Sequence, residues 1–84
     1  MNEKMLRAMV EAGAIKHIRI IGDGALFHVE ADTKTGSITA LTLKGTAKTW
    51  SSLDTAAKWV RSLGIGVAQI DISRWQPGQR GLKL

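Results

Sequence analysis

Apolar residues recur at helical spacing near the start of the chain and again after its midpoint, and they alternate with polar residues in between. In residues 3 to 12, Met5, Leu6, Met9 and Val10 make one stripe at a 3.6-residue period, which predicts a short amphipathic helix. Asn2 is a suitable cap, Glu3 complements the positive end of the helix dipole, and Gly13 is a natural stop. Ile15 to Ile21 is β-branched and predicts a strand with Ile18 and Ile20 on one face and His17, Arg19 and Ile21 on the other. Gly22-Asp23-Gly24 then offers a tight turn. Ala25 to Ala31 alternates, with Phe27 and Val29 on one face and Leu26, His28 and Glu30 on the other, so the two strands form a hairpin. A turn at 32–36 leads to a third strand, Ser37 to Leu43, and Lys44-Gly45 makes another tight turn. Thr46 to Trp50 predicts a short basic strand at an edge, where lysine opposes aggregation.

The second helical stretch lies within Lys44 to Ile65. Ser51 is the expected cap, with Asp54 three residues later, and Leu53, Ala56, Ala57, Val60 and Leu63 form the buried stripe. Gly64 ends it. Val67 to Ile72 predicts a last strand with Ala68, Ile70 and Ile72 toward the core. From Ser73 onward there is no periodicity, and the stretch contains Pro, two Gly and three basic residues with no acid. The expected fold is α+β: an antiparallel meander of three to four strands covered by helices, in the order α-β-β-β-(β)-α-β. Residues 1–73 form a single domain, and residues 74–84 form a basic, flexible tail.

Composition narrows the class. The chain has 84 residues and no cysteine, so it fits one domain without disulfides or thiolate metal sites, which favours a cytoplasmic protein. The N-terminus mixes acidic and apolar residues and is not expected to be a signal peptide. No run approaches the roughly 18 apolar residues of a membrane span. Charge is segregated. Residues 1–43 sum to zero, and residues 44–84 carry the whole net charge of +5. A basic half on a small domain points to a polyanionic partner, most often nucleic acid.

Candidate chemistry is sparse. Closing the first hairpin at Gly22–Asp23 sets His17 opposite His28, and Glu30 shares their face. Two histidines alone make a weak metal site, for which Glu30 would be the third ligand, and a solvated or partner-facing pair is the favoured reading. No nucleophile lies beside a base, and Asp23, Asp32, Asp54 and Asp71 each suit a turn, a cap or a strand. Neither an enzyme nor a cofactor is expected, and no small-molecule substrate is evident. What remains is basic and aromatic. Lys44, Lys48, Lys58, Arg61, Arg74, Arg80 and Lys83 are candidate phosphate contacts. Trp75 is either an anchor folded back on the domain or a group that stacks on a base. Trp50 and Trp59 suit the gap between helix and sheet.

The segment TWSSLDTAAKWVRSLGI, Thr49 to Ile65, resembles small accessory proteins carried by plasmids and integrative elements, where a similar segment runs on to a last strand. It also resembles the three-stranded-sheet-plus-helix DNA-binding domains, such as the arm-type domains of tyrosine integrases and AP2-like plant domains. In the latter the open sheet face enters the major groove, which would place His17, Arg19, His28 and Glu30 on that face. The resemblance implies a non-catalytic DNA-binding accessory protein of a mobile element, binding double- or single-stranded DNA mainly through phosphates. A homodimer is possible and no membrane contact is expected. The alternative is a protein–protein interaction module that dimerises or docks a partner through the N-terminal helix or a sheet edge.

Overall fold

The computed structural model describes residues 2–76. Two helices, α1 (Glu3–Glu11) and α2 (Leu53–Ser62), lie with a mixed five-stranded sheet of β1 (His17–Gly24), β2 (Leu26–Thr33), β3 (Gly36–Thr39), β4 (Thr49–Trp50) and β5 (Gln69–Trp75). The α+β class holds. The meander does not extend to the last strand: β1, β2 and β3 are successive antiparallel neighbours, but β5 runs parallel to β1 on its far side. β5 takes the flank of β1 opposite the one paired with β2. The α2 crossover, returning the chain to that flank, makes the pairing parallel.

Each helix is capped as its first residues dictate. Asn2 accepts the Met5 N–H at 3.0 Å. For α2 the cap is Ser52, one residue later than expected, and its hydroxyl accepts the Thr55 N–H at 3.2 Å. Asp54 falls inside the first turn instead of closing a capping box. Ala57 turns outward and is exposed, so the buried stripe of α2 is narrower than expected. Met5 is likewise exposed, and Leu6 is the residue that α1 buries.

The core forms where the helices cover β1 and β2. Phe27, Leu6, Ile20 and Val29 are its largest fully buried side chains, joined by Ile18, Ala31, Ala40, Ala56, Val60 and Leu63. The face assignments of the first two strands stand, but the register differs. The hairpin turns at Gly24–Ala25, two residues later than expected, because Gly24 supplies the positive φ of 65°. The shift keeps every side chain on its face and changes its partner. His17 therefore lies opposite Asp32, and His28 opposite Ile21, so the histidines are not a cross-strand pair.

β3 and β4 behave as one edge strand cut in two. After Thr39, Ala40 still donates its N–H to the Val29 carbonyl at 2.9 Å. The chain then leaves in an excursion over 41–48 and rejoins β2, where Trp50 faces Phe27. The third strand thus ends at Thr39 instead of Leu43, and Leu43 is almost fully exposed.

β5 departs most from expectation. It runs on through Arg74 and Trp75, two residues past the expected domain boundary at 73. A bulge between Ile21 and Asp23 of β1 breaks its register. Ile70 and Ile72, expected in the core, are 53% and 49% exposed. The reason is geometric: α2 packs over β1, β2 and β4, and β5 lies beyond its reach. The remainder of the tail, with Arg80 and Lys83, lies outside the described residues.

Candidate nucleic-acid interface

The sheet has a helix-covered side and an open side, and the titratable groups divide between them. On the helix side, Trp59 of α2 packs against Trp50 of β4 with ring centroids 5.0 Å apart. The Lys48 ammonium sits over both rings, 5.6 Å and 6.0 Å from their centroids. That contact follows from the return of the excursion, where the Lys48 N–H bonds to the Ala40 carbonyl at 2.9 Å. The Trp59 indole N–H donates to Glu3 Oε1 at 3.0 Å, and Arg7 Nη2 donates to Glu3 Oε2 at 3.0 Å. These two donors, the indole first, hold the Glu3 carboxyl below its usual range. Arg7 also donates to the Ser62 carbonyl at 2.7 Å, placing a cation at the C-terminus of α2. One small network thereby ties α1, α2 and the edge of β2.

The expected phosphate contacts fall in three places. Lys44, Lys48, Lys58 and Arg61 belong to the excursion and to α2. Lys58 pairs with Asp54 at 3.1 Å through exposed side chains, an i, i+4 pair worth about 0.3–0.5 kcal/mol. The side chains of Lys44 and Arg61 make no ion pair among the described residues. Arg74 lies elsewhere, on the open side, where it meets Asp23 at 3.3 Å. Trp75 is an anchor in this arrangement. Its ring lies 5.2 Å from that of Phe27, centroid to centroid, and its Cβ crosses close to Gly22. A Cβ on Gly22 would stand 2.8 Å from that of Trp75 and 3.0 Å from the Phe27 ring, so the approach requires glycine there.

The open side has the opposite character. Arg19 donates to Asp32 through Nε at 3.1 Å and Nη2 at 2.9 Å, and Nη2 also reaches Glu30 and Ser37. Ser37 in turn donates to Asp32 at 2.8 Å. The guanidinium, then the hydroxyl, hold Asp32 below the usual carboxylate range, and Asp32 raises Arg19. His28 Nε2 contacts Glu30 Oε2 at 3.0 Å. Asp71 accepts the backbone N–H and the hydroxyl of Ser73, which lower its pKa. Arg19 is therefore engaged by the protein's own carboxylates and offers little to a groove. Among the described residues no group of three or more His, Asp or Glu side chains could hold a metal ion. No described helix is long and apolar enough to cross a membrane.

Two of these networks escaped the sequence reading. Arg19–Asp32–Ser37 depends on a register that only the position of the Gly24 turn reveals. Glu3–Arg7 was readable as an i, i+4 pair on α1, but its link to Trp59 spans most of the chain. No family model matches the chain, and neither a curated protein nor a solved structure matches it.

Proposed function

We propose that the chain is a non-catalytic DNA-binding accessory domain whose helix-covered side meets the phosphates of double- or single-stranded DNA. The observation that carries this reading is the separation of charge across the sheet. Lys4 and Arg7 of α1, Lys44 and Lys48 of the excursion, and Lys58 and Arg61 of α2 belong to the helix side, opposed there by Glu3, Glu11 and Asp54 alone. The open side bears Asp23, Glu30, Asp32 and Asp71 against Arg19 and Arg74. A polyanion is attracted to the first surface and repelled from the second. Arg74 accordingly drops out of the contact set, and Trp75 acts in the fold.

Titration of the full chain with duplex and single-stranded oligonucleotides at two salt concentrations tests this. Binding should weaken steeply with salt, and each phosphate contact removed from duplex binding should reduce the log–log slope by about 0.9. Lys44→Ala and Arg61→Ala should each do so, and Arg74→Ala should not. Absence of binding to either DNA at low salt would sink the reading.

The second reading, a protein-interaction module, draws its support from a sheet edge and not from α1. Leu6 of that helix is buried and Met9 and Val10 are half-buried, whereas among the described residues β5 is exposed from Gln69 to Arg74.

A further inference from the structure

We propose that β5 pairs with β5 of a second copy of this chain, in antiparallel orientation about a twofold axis. The proposal rests on the interaction-module reading and is independent of DNA binding. β5 is hydrogen-bonded to β1 on one side, and among the described residues nothing pairs with its other side. A run of unpaired backbone donors and acceptors is a template for another strand. The strand is also uncovered on its helix side. There Ile70 and Ile72 stand about half exposed and Val67 is 86% exposed. Ala57, Ile65, Val67 and Ala68 line a groove of about 140 Å³ beside α2 that opens next to this strand.

The sequence of β5 identifies the occupant. In an unbroken strand Asp71 and Arg74 would point to opposite faces, since their spacing is odd. The bulge changes that. It aligns Asp71 with Ile21 and Arg74 with Asp23, two residues of β1 that share the open face. Antiparallel pairing that sets Asp71 opposite Arg74 of the second copy then sets Arg74 opposite Asp71 of that copy, so one register makes two ion pairs. The same register brings Ile70 opposite Trp75 on the helix side, with the two copies of Ile72 flanking the axis. This self-complementarity of charge and apolar surface is what an isologous interface requires. The existing Arg74–Asp23 contact is no obstacle. It is exposed at 3.3 Å, worth little, and a guanidinium can serve two carboxylates. Bulges often guard an edge, but a guarded edge would not present two isoleucines.

Sedimentation equilibrium on the full chain, with circular dichroism as the folding control, tests the proposal. The wild type should be a dimer in equilibrium with monomer. Ile72→Lys, at an exposed position, should leave the monomer folded. Because the change enters the interface twice, at about tenfold each, it should weaken dimerisation about a hundredfold. Asp71→Arg should weaken it by like-charge apposition with Arg74, and the double variant Asp71→Arg/Arg74→Asp should recover most of the loss. A wild type that stays monomeric at millimolar concentration overturns the proposal, whether the edge is covered by the chain's own C-terminal residues or by another protein. A dimer indifferent to Ile72→Lys overturns it too. Dimerisation without rescue by the double variant overturns the register. DNA titration of Ile72→Lys keeps the two readings apart, since a folded monomer that still binds DNA separates edge from helix side.

Discussion

Along β2 the sheet ends in an edge strand cut in two; along β1 it ends in one seven-residue strand. The first edge shows several devices that keep a sheet from growing. β3 has four residues and β4 has two, the excursion between them turns away, and Lys48 lies against its tryptophans. The second edge has a bulge but also two half-exposed isoleucines, and no described helix lies over it. Both edges lean on one residue. Phe27 pairs with Trp50 on one side and carries the ring of Trp75 on the other. On the pairing proposed above, the interrupted edge belongs to the monomer and the long edge along β5 takes the second copy.

The largest expected effect removes the shared support. Phe27→Ala empties a site that is 1% exposed and should cost about 3–5 kcal/mol. A small domain has a total of about 5–10 kcal/mol, so urea unfolding should start in little or no denaturant. Both Trp50 and Trp75 lose their bed, and tryptophan fluorescence reads the change. A loss under about 1.5 kcal/mol, the scale of a tolerated core swap, would mean that the edges do not share this support.

Gly22→Ala acts on one edge alone. The new methyl group meets the Trp75 Cβ, a backbone-proximal atom that cannot swing aside, so β5 must shift at its end. The cost should be about 1–3 kcal/mol, as for overpacking elsewhere. Hydrogen exchange should quicken at β5 amides while β3 amides keep their relative protection. Equal loosening of both edges would contradict the independence of the two.

How far the sequence revealed this depends on the range of each determinant. The alternation of Phe27, Val29 and Ala31 against Leu26, His28 and Glu30 announced the buried face of β2 without help from elsewhere. The caps and the apolar stripe of α2 were also local, apart from the one-residue choice between Ser51 and Ser52. Register was not legible, because Gly22, Asp23 and Gly24 each suit a turn and moving the tip by two residues leaves the faces unchanged. The exposure of Ile70 and Ile72 was not legible either. Their alternation reads as a buried strand, and only the reach of α2 decides what covers it. The charge division was half visible: the +5 of residues 44–84 stood out, but the capture of Arg19 by Asp32 and Glu30 needed the paired strands.

A smaller effect comes from acid, and it differs between the edges. Asp32, Glu3 and Asp71 all have folded pKa values below their ordinary ones. A depressed carboxylate contributes stability above its unfolded pKa, and that contribution is lost as pH falls through the folded value. Melting temperature should therefore hold between pH 7 and 5 and fall below about pH 4, where unfolded carboxylates take up protons. Asp32 links β2 to Ser37 of β3, whereas Asp71 bonds within β5 to Ser73. Acid should thus loosen β3 from β2 first and leave the β1–β5 ladder paired. Asp32→Asn should flatten the acid limb of the melting profile, and an unchanged limb would show that this network is not its source.

The smallest stability effect tests whether the interrupted edge serves any partner. In Lys48→Ala the loss of cation–π contact with Trp50 and Trp59 should cost about 0.5–1 kcal/mol, the range for an accessible pair. The substitution also removes a cation from the helix side and a guard from the edge at β4. If the edges are as different as their construction, sedimentation of Lys48→Ala should match the wild type, because the excursion and the two-residue length of β4 block pairing without the lysine. DNA affinity should fall and become less salt-dependent, since one phosphate contact is gone. Larger assemblies in Lys48→Ala would show that the lysine, and not the excursion, closes that edge. Unchanged DNA binding would remove Lys48 from the contact set and shift the weight of the helix side to Lys44, Lys58 and Arg61.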